Sequence, residues 1–235
     1  MKYHLGCGKK YLKGYVNVEH PLSELRGVKA DVYEDLMSFK IPLDSAHEIR
    51  SQHVFEHFGY VDSLVLLIRW TLALKMGGVL RIEVPAVEQL IKDLGKNAEV
   101  DCAITRLLYG DQEESWAYHL NGWTGGMLEK ILCGLGYVNM QKRLVNRASK
   151  GFPNYGILVT ADRERLIYSP GLELVASDYL KSYFKLPSEE RRYQEQVKRY
   201  SLKPFLSRYE FVILKFPSWF SREGPSCLGH VFIME

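Results

Sequence analysis

Three features of the sequence predict an α/β fold built on a parallel sheet. Strand-like and helix-like segments alternate through about the first 160 residues, the pattern left by parallel strands joined by helical crossovers. A Gly6-Cys7-Gly8 turn follows directly on the first strand-like segment. Two β-rich segments then close this part of the chain in the manner of a hairpin.

In chain order, residues 2–5 read as a strand ending in the glycine turn. Tyr15-Val16-Asn17-Val18-Glu19 is a second, 29–32 a short third and 47–52 a fourth; 78–84, rich in aliphatic and β-branched residues, is a fifth. Within residues 60–75, Leu64, Val65, Ile68 and Leu72 follow helical spacing up to a stop at Gly77-Gly78. Val87, Leu90, Ile91 and Leu94 repeat that spacing, with Gly95 as the residue past the helix end. Thr124 is the expected N-cap of a helix carrying Leu128, Ile131, Leu132 and Leu135 and closed by Gly136. Residues 137–144 and 155–161 form the hairpin. Residues 96–123, which hold Asp111, Trp116, His119 and Trp123, read as an irregular insertion of the kind that covers a binding crevice.

The chain divides into a domain of residues 1–164 and an extension of residues 165–235. The domain holds 20 Lys/Arg against 20 Asp/Glu and the extension 11 against 8, so the formal charge of +3 comes wholly from the extension. This mild excess falls short of a nucleic-acid binder's basic load, which disfavours nucleic acid as a partner. Thirteen of the extension's residues are aromatic. Within it 188–200 read as a helix and 209–216 as a strand, suited to a lid, an acceptor-binding element or a homodimer contact.

A hydrophobic share of 46% with 25% charged residues suits a chain that buries its own core. Cys7, Cys102, Cys133 and Cys227 are scattered without zinc spacing, which points to reduced thiols, a cytoplasmic location and no structural metal. The best apolar run, residues 64–74, is interrupted by Arg69 and is shorter than the ~18 residues of a membrane span. Met1-Lys2 leads straight into a strand, so no signal peptide is expected.

A strand, a Gly-x-Gly turn and a second strand ending in an acid make up the logic of a nucleotide pocket. Glycines let the backbone approach the ligand, and the acid accepts the ribose hydroxyls. A dinucleotide fingerprint also requires a third glycine, and its acid lies ~20 residues on. Tyr11 occupies the third glycine's place, and Glu19 comes only eleven residues after Gly8. The crossover is too short for a helix able to seat a pyrophosphate, which argues against a nicotinamide- or flavin-dependent oxidoreductase.

Taken together, these segments resemble class I S-adenosylmethionine-dependent methyltransferases. His4-Leu5-Gly6-Cys7-Gly8 looks like the family's glycine motif, and Tyr15 through Glu19 like its second-strand acid motif. Ala30-Asp31-Val32 through Asp35-Leu36 resembles the segment whose Asp meets the adenine. His53-Val54-Phe55-Glu56-His57 matches the stretch after the fourth strand, and Gly77-Gly78 through Val84-Pro85 the strand that follows. The resemblance spans about residues 2–161. It implies a Rossmann-like, seven-stranded, mostly parallel sheet with helices on both faces and the last strand antiparallel. It also implies S-adenosylmethionine held by Gly6, Cys7, Gly8, Glu19, Asp35, Leu36 and His53. Met76 stands where the family usually has Pro, and His47 where an acid is common. The short first crossover is similar to that of small bacterial members linked to surface-polysaccharide synthesis.

Ligands of such sheets sit beyond the carboxyl ends of the strands. Methyl transfer to oxygen usually employs a general base near neutral pKa, for which His53 and His57 are the candidates. Glu56, His119 and Trp123 are the expected acceptor-side residues, although Glu56 also suits a role in holding the turn. His53-x-x-Glu56-His57 has the order of an inverted zinc motif. It lacks a downstream ligand at sensible spacing, so no metal is expected. The sequence thus points to methyl transfer from S-adenosylmethionine to a small molecule or saccharide intermediate, at oxygen. A non-catalytic regulatory protein binding S-adenosylmethionine or S-adenosylhomocysteine and a nucleic-acid methyltransferase are the alternatives.

Overall fold

β1 (Lys2–Leu5) buries Tyr3, His4 and Leu5 in succession, as a strand does when a sheet is covered on both faces. It lies between β2 (Val16–Glu19) and β4 (Ala46–Gln52), parallel to both. β3 (Val32–Tyr33) pairs outside β2, and β5 (Leu74–Pro85) pairs outside β4. β6 (Tyr137–Asn146) and β7 (Tyr155–Arg163) complete a seven-stranded sheet of order β3-β2-β1-β4-β5-β7-β6. β7 runs antiparallel to both of its neighbours. This is the Rossmann-like mixed sheet with a reversed last strand, surrounded by helices. The computed structural model describes residues 1–148 and 152–163; the helix and strand expected in the extension lie outside the described residues.

Strand order reverses between β1 and β4, which puts the topological switch point at their carboxyl ends. No helix occupies the connection between β1 and β2. The short crossover of the sequence therefore leaves the glycine turn open toward the switch point.

α1 (Tyr60–Ala73) crosses from β4 to β5 with Leu64, Val65, Leu66, Leu67 and Ile68 all buried. The helix is enclosed nearly all round, beyond the single face that periodicity predicts. It ends two residues short of the predicted range of 60–75, because Leu74 already pairs with Ala46. The chain then bulges before pairing resumes at Glu48 with Val79. Gly77 and Gly78 serve that bulge: Gly77 has φ +72°, and a Cβ on Gly78 would lie 2.7 Å from the Lys75 carbonyl oxygen.

α2 (Val87–Asp93) follows β5, and Gly95 adopts φ +87° beyond its end. α4 (Gly125–Gly134) is capped by Thr124, whose Oγ1 accepts from the Met127 N–H at 3.2 Å. The expected irregularity of residues 96–123 is corrected in part. They contain α3 (Ala98–Tyr109), capped by the Asn97 side chain and anchored by buried Ile104. Among the described residues no helix is long and apolar enough to cross a membrane.

Candidate functional site

The glycine turn is built by backbone constraint. Gly6 (φ +65°) and Gly8 (φ +51°) are left-handed, a conformation costly to residues with a Cβ. The Gly6 and Cys7 N–H groups both donate to the Val18 carbonyl, at 2.8 and 3.1 Å. Glu19, at the tip of β2, accepts from the Gly8 N–H through Oε2 at 2.5 Å. Its Oε1 accepts from the His20 N–H at 2.9 Å and the Ser23 hydroxyl at 3.3 Å. A carboxylate offers about four lone-pair sites, so Glu19 closes the turn and retains acceptor capacity. Past β3, Asp35 accepts from the Met37 N–H at 2.7 Å, and Leu36 beside it is buried. Burial pushes the Cys7 thiol up to about 12, so it stays neutral and is no nucleophile.

His53, just past β4, is a non-glycine residue at φ +51°, fixed there by its N–H donating to the Glu83 carbonyl at 2.9 Å. Its Nδ1 lies 3.3 Å from Glu56 Oε1 and its Nε2 3.4 Å from Glu83 Oε1. Burial alone would lower its pKa, but the two carboxylates outweigh burial and raise it to about 9. Glu83 is buried as well; burial pushes it up, yet His53 and Arg147 pull it down to about 2. The Arg147 guanidinium grips both Glu83 oxygens, and Gln52 Nε2 donates to Oε2 at 3.1 Å. At neutral pH His53 is therefore an imidazolium without a free lone pair. This weighs against the general-base role expected for it and leaves His57 as the candidate.

Residues 117–121 of the insertion dock on the turn after β4. The Leu120 and Asn121 N–H groups donate to the Glu56 carbonyl at 2.8 and 3.2 Å, and Asn121 Nδ2 donates to the Phe58 carbonyl at 3.1 Å. His57 and His119 meet edge to face with ring centroids 4.7 Å apart. Burial lowers the His119 pKa despite the nearby Glu56 charge, which keeps this ring neutral. Earlier in the insertion Trp116 stacks on His20 at 4.3 Å, and Glu114 pairs with Arg26.

A cleft of about 680 Å³ opens at the switch point, within the size range of small-molecule sites. It brings together nine of the residues singled out from the sequence: Gly6, Cys7, Gly8, Glu19, Asp35, Leu36, His53, His57 and His119. Two others do not line it. Glu56 is buried behind the wall, under His53 and His119. Trp123 is 1% exposed, stacked on Tyr60 at 5.2 Å and packed against Phe55 at 4.9 Å, so the expectation that it faces an acceptor is corrected to a core role. Sequence reasoning missed Lys10, Gln52 and Arg147 on the wall and Glu83 beneath His53, and it named Trp116 only as part of the crevice-covering insertion. Glu83 did carry a signal: an acid inside an apolar strand, close to its carboxyl end, is costly unless paired.

No family model matches the chain, and no curated protein matches it. Solved structures do resemble it. A SAM-dependent methyltransferase from Archaeoglobus fulgidus is 14% identical over 68% of this chain and 84% of its own, with a TM-score of 0.47. A SAM-dependent methyltransferase from Thermotoga maritima, described as a possible histamine N-methyltransferase, is 9% identical over 69% and 81%, at 0.46. One from Methanosarcina mazei is 16% identical over 68% and 91%, at 0.45. At these values the fold assignment stands on the strand order itself.

Proposed function

We propose that this chain is an S-adenosylmethionine-dependent methyltransferase that acts on a small molecule or saccharide intermediate, at oxygen. The observation that carries the reading is the left-handed Gly6/Gly8 turn, closed by Glu19, at the switch point of the sheet. The residues present suit the cofactor. A Cβ on Gly8 would enter open space, so the turn leaves its outer side free for a ligand. Glu19 keeps a lone pair for ribose hydroxyls, and Asp35 with Leu36 offers one polar and one apolar contact for a base.

When bound, S-adenosylmethionine supplies an electrophilic methyl carbon on a sulfonium. The chain's part is to position and to exclude water. His53, locked as an imidazolium between Glu56 and Glu83, orders the floor of the cleft by charge pairing rather than removing a proton. His57 lines the cleft, and its Nδ1 donates to the Tyr118 carbonyl at 3.0 Å, which leaves Nε2 as the proton acceptor. Trp116 and Arg26, one aromatic and one cationic, suit the face and substituents of a sugar.

The test is a calorimetric titration with S-adenosylhomocysteine and with NAD at equal concentration, followed by transfer of labelled methyl groups into cell-extract fractions. Binding of S-adenosylhomocysteine and label in a small hydroxylated product are expected. Binding of NAD alone would refute the proposal. Binding of S-adenosylhomocysteine with no transfer would favour the regulatory reading, and label in RNA or DNA the nucleic-acid one.

A further inference from the structure

We infer that Glu56, His57 and His119 form a binding site for a divalent transition-metal ion in the wall of the cleft. The sequence supplies a His-x-x-Glu-His stretch without a nearby third ligand, and the fold brings one from 62 residues downstream of His57. One ligand atom from each of the three residues lies within 4.8 Å of the others. A tetrahedral ion with bonds of ~2.1 Å sets its ligand atoms ~3.4 Å apart. Side-chain rotation covers the difference.

The two imidazoles are oriented as metal ligands are. His57 Nδ1 is 3.0 Å from the Tyr118 carbonyl oxygen, and His119 Nδ1 is 2.9 Å from the Leu107 carbonyl oxygen. A carbonyl can only accept, so each Nδ1 carries the proton and each Nε2 holds the free lone pair. A carboxylate, a backbone carbonyl or a water performs this service for almost all metal-binding histidines. His119 Nε2 lies 4.0 Å from Glu56 Oε1.

Glu56 gives the independent observation. Its side chain is 1% exposed, and neither oxygen has a hydrogen-bond partner among the described residues. The 3.3 Å approach of His53 to Oε1 is a charge contact without hydrogen-bond alignment. Buried carboxylate oxygens are nearly always satisfied, and a cation between Glu56 and the two imidazoles satisfies this one. The backbone bonds from Leu120 and Asn121 to Glu56 hold the insertion in place, so the ligands converge before any ion arrives.

Two imidazoles and one carboxylate select a first-row transition metal such as Zn²⁺ over Mg²⁺ or Ca²⁺. His57 and His119 both line the cleft, so the remaining coordination positions face it. Resting on the methyl-transfer reading, the ion would polarise an acceptor hydroxyl in the cleft; because it takes the His57 Nε2 lone pair, that proton would leave to water in the cleft, and His57 serves as the base only in the ion-free protein. The site itself stands apart from that reading.

The experiment uses the full chain stripped with a chelator. Zn²⁺ is titrated by calorimetry, and Co²⁺ is followed by its visible ligand-field absorption. About one equivalent is expected, with His119→Gln and Glu56→Gln each weakening affinity beyond the ~10-fold typical of losing an outer-shell partner. His47→Ala is the control, because His47 Nδ1 lies 3.0 Å from the terminal amine and is a plausible stray site; it should change nothing. Absence of saturable binding, or binding removed by His47→Ala and kept by His119→Gln, overturns the proposal. Should Glu56→Gln unfold, as circular dichroism would report, the His119→Gln comparison decides alone. S-adenosylhomocysteine titrated into the same stripped protein separates failure of this site from failure of the cofactor reading.

Discussion

Replacing Gly6 by Ala tests the construction of the glycine turn. A Cβ at residue 6 would lie 2.1 Å from Val54 Cγ2, 3.1 Å from Cγ1 and 3.2 Å from Cβ. A χ1 rotation that put hydrogen in place of Cγ2 would still leave Val54 carbons near 3.1 and 3.2 Å, tighter than ordinary contact. Left-handed backbone costs an alanine ~1–2 kcal/mol, and forcing a methyl into packed atoms costs ~1–3 kcal/mol. The sum is a destabilisation of about 2–5 kcal/mol. Gly8→Ala makes the comparison, since its Cβ meets nothing within 4 Å and only the backbone cost of ~1–2 kcal/mol applies. Urea unfolding of Gly6→Ala, Val54→Ala and the double variant should give a coupling energy of ~1–3 kcal/mol, with the second substitution rescuing the first. S-adenosylhomocysteine affinity, read by calorimetry, should recover in parallel. Equal costs for Gly6→Ala and Gly8→Ala, or no rescue by Val54→Ala, would refute the close-approach reasoning.

Glu83→Gln should move His53 from about 9 down toward its ordinary 6.5, read from imidazole proton shifts in chelator-treated protein; an unmoved titration contradicts the bridge. The sign for stability follows from both partners. His53's contribution is complete below pH 6.5 and lost as pH climbs through about 9, whereas Glu83's is complete above 4.5 and lost as pH falls through about 2. Wild-type urea midpoints should therefore plateau between those inner limits, and Glu83→Gln should flatten both flanks. Glu19→Ala removes acceptors for the Gly8 N–H and for a ribose, and should weaken S-adenosylhomocysteine binding by ~10-fold or more; unchanged affinity would move the ribose elsewhere. Trp123→Ala should cost ~3–5 kcal/mol in urea unfolding, as a fully buried aromatic does, and a loss below ~1 kcal/mol would return Trp123 to the surface.

Much of the sheet was legible because its signals are local. Gly6 and Gly8, the Glu19 strand tip, the Thr124 cap and the closing hairpin each declare themselves within a few residues. α3 was not legible: Trp, His and acids further along residues 96–123 obscured Asn97 as a cap, and Ile104 is its single fully enclosed anchor. The side of the cleft proposed for the cofactor was readable for the same reason as the sheet, since it is made at strand ends. The opposite side depends on pairings between distant residues, such as Glu83 with Arg147 and Glu56 with His119, which no spacing rule reveals. Trp123 and Trp116 show the limit at one residue type. Both are aromatic residues of one insertion, and only the fold decides that Trp116 faces the cleft and Trp123 the core.

The reversed direction of β7 has a consequence for how the cleft can change. With β7 antiparallel, the link from β6 to β7 falls at the same end of the sheet as the carboxyl tips of β1 and β4. Arg147 reaches Glu83 from that link. A parallel last strand would need a crossover, and would carry its connection away from the ligand end. Here a plain hairpin brings the end of β6 and the start of β7 to the cleft. Substitutions and length changes in the link can therefore retune the wall while the hydrogen-bonded ladder behind it stays as it is.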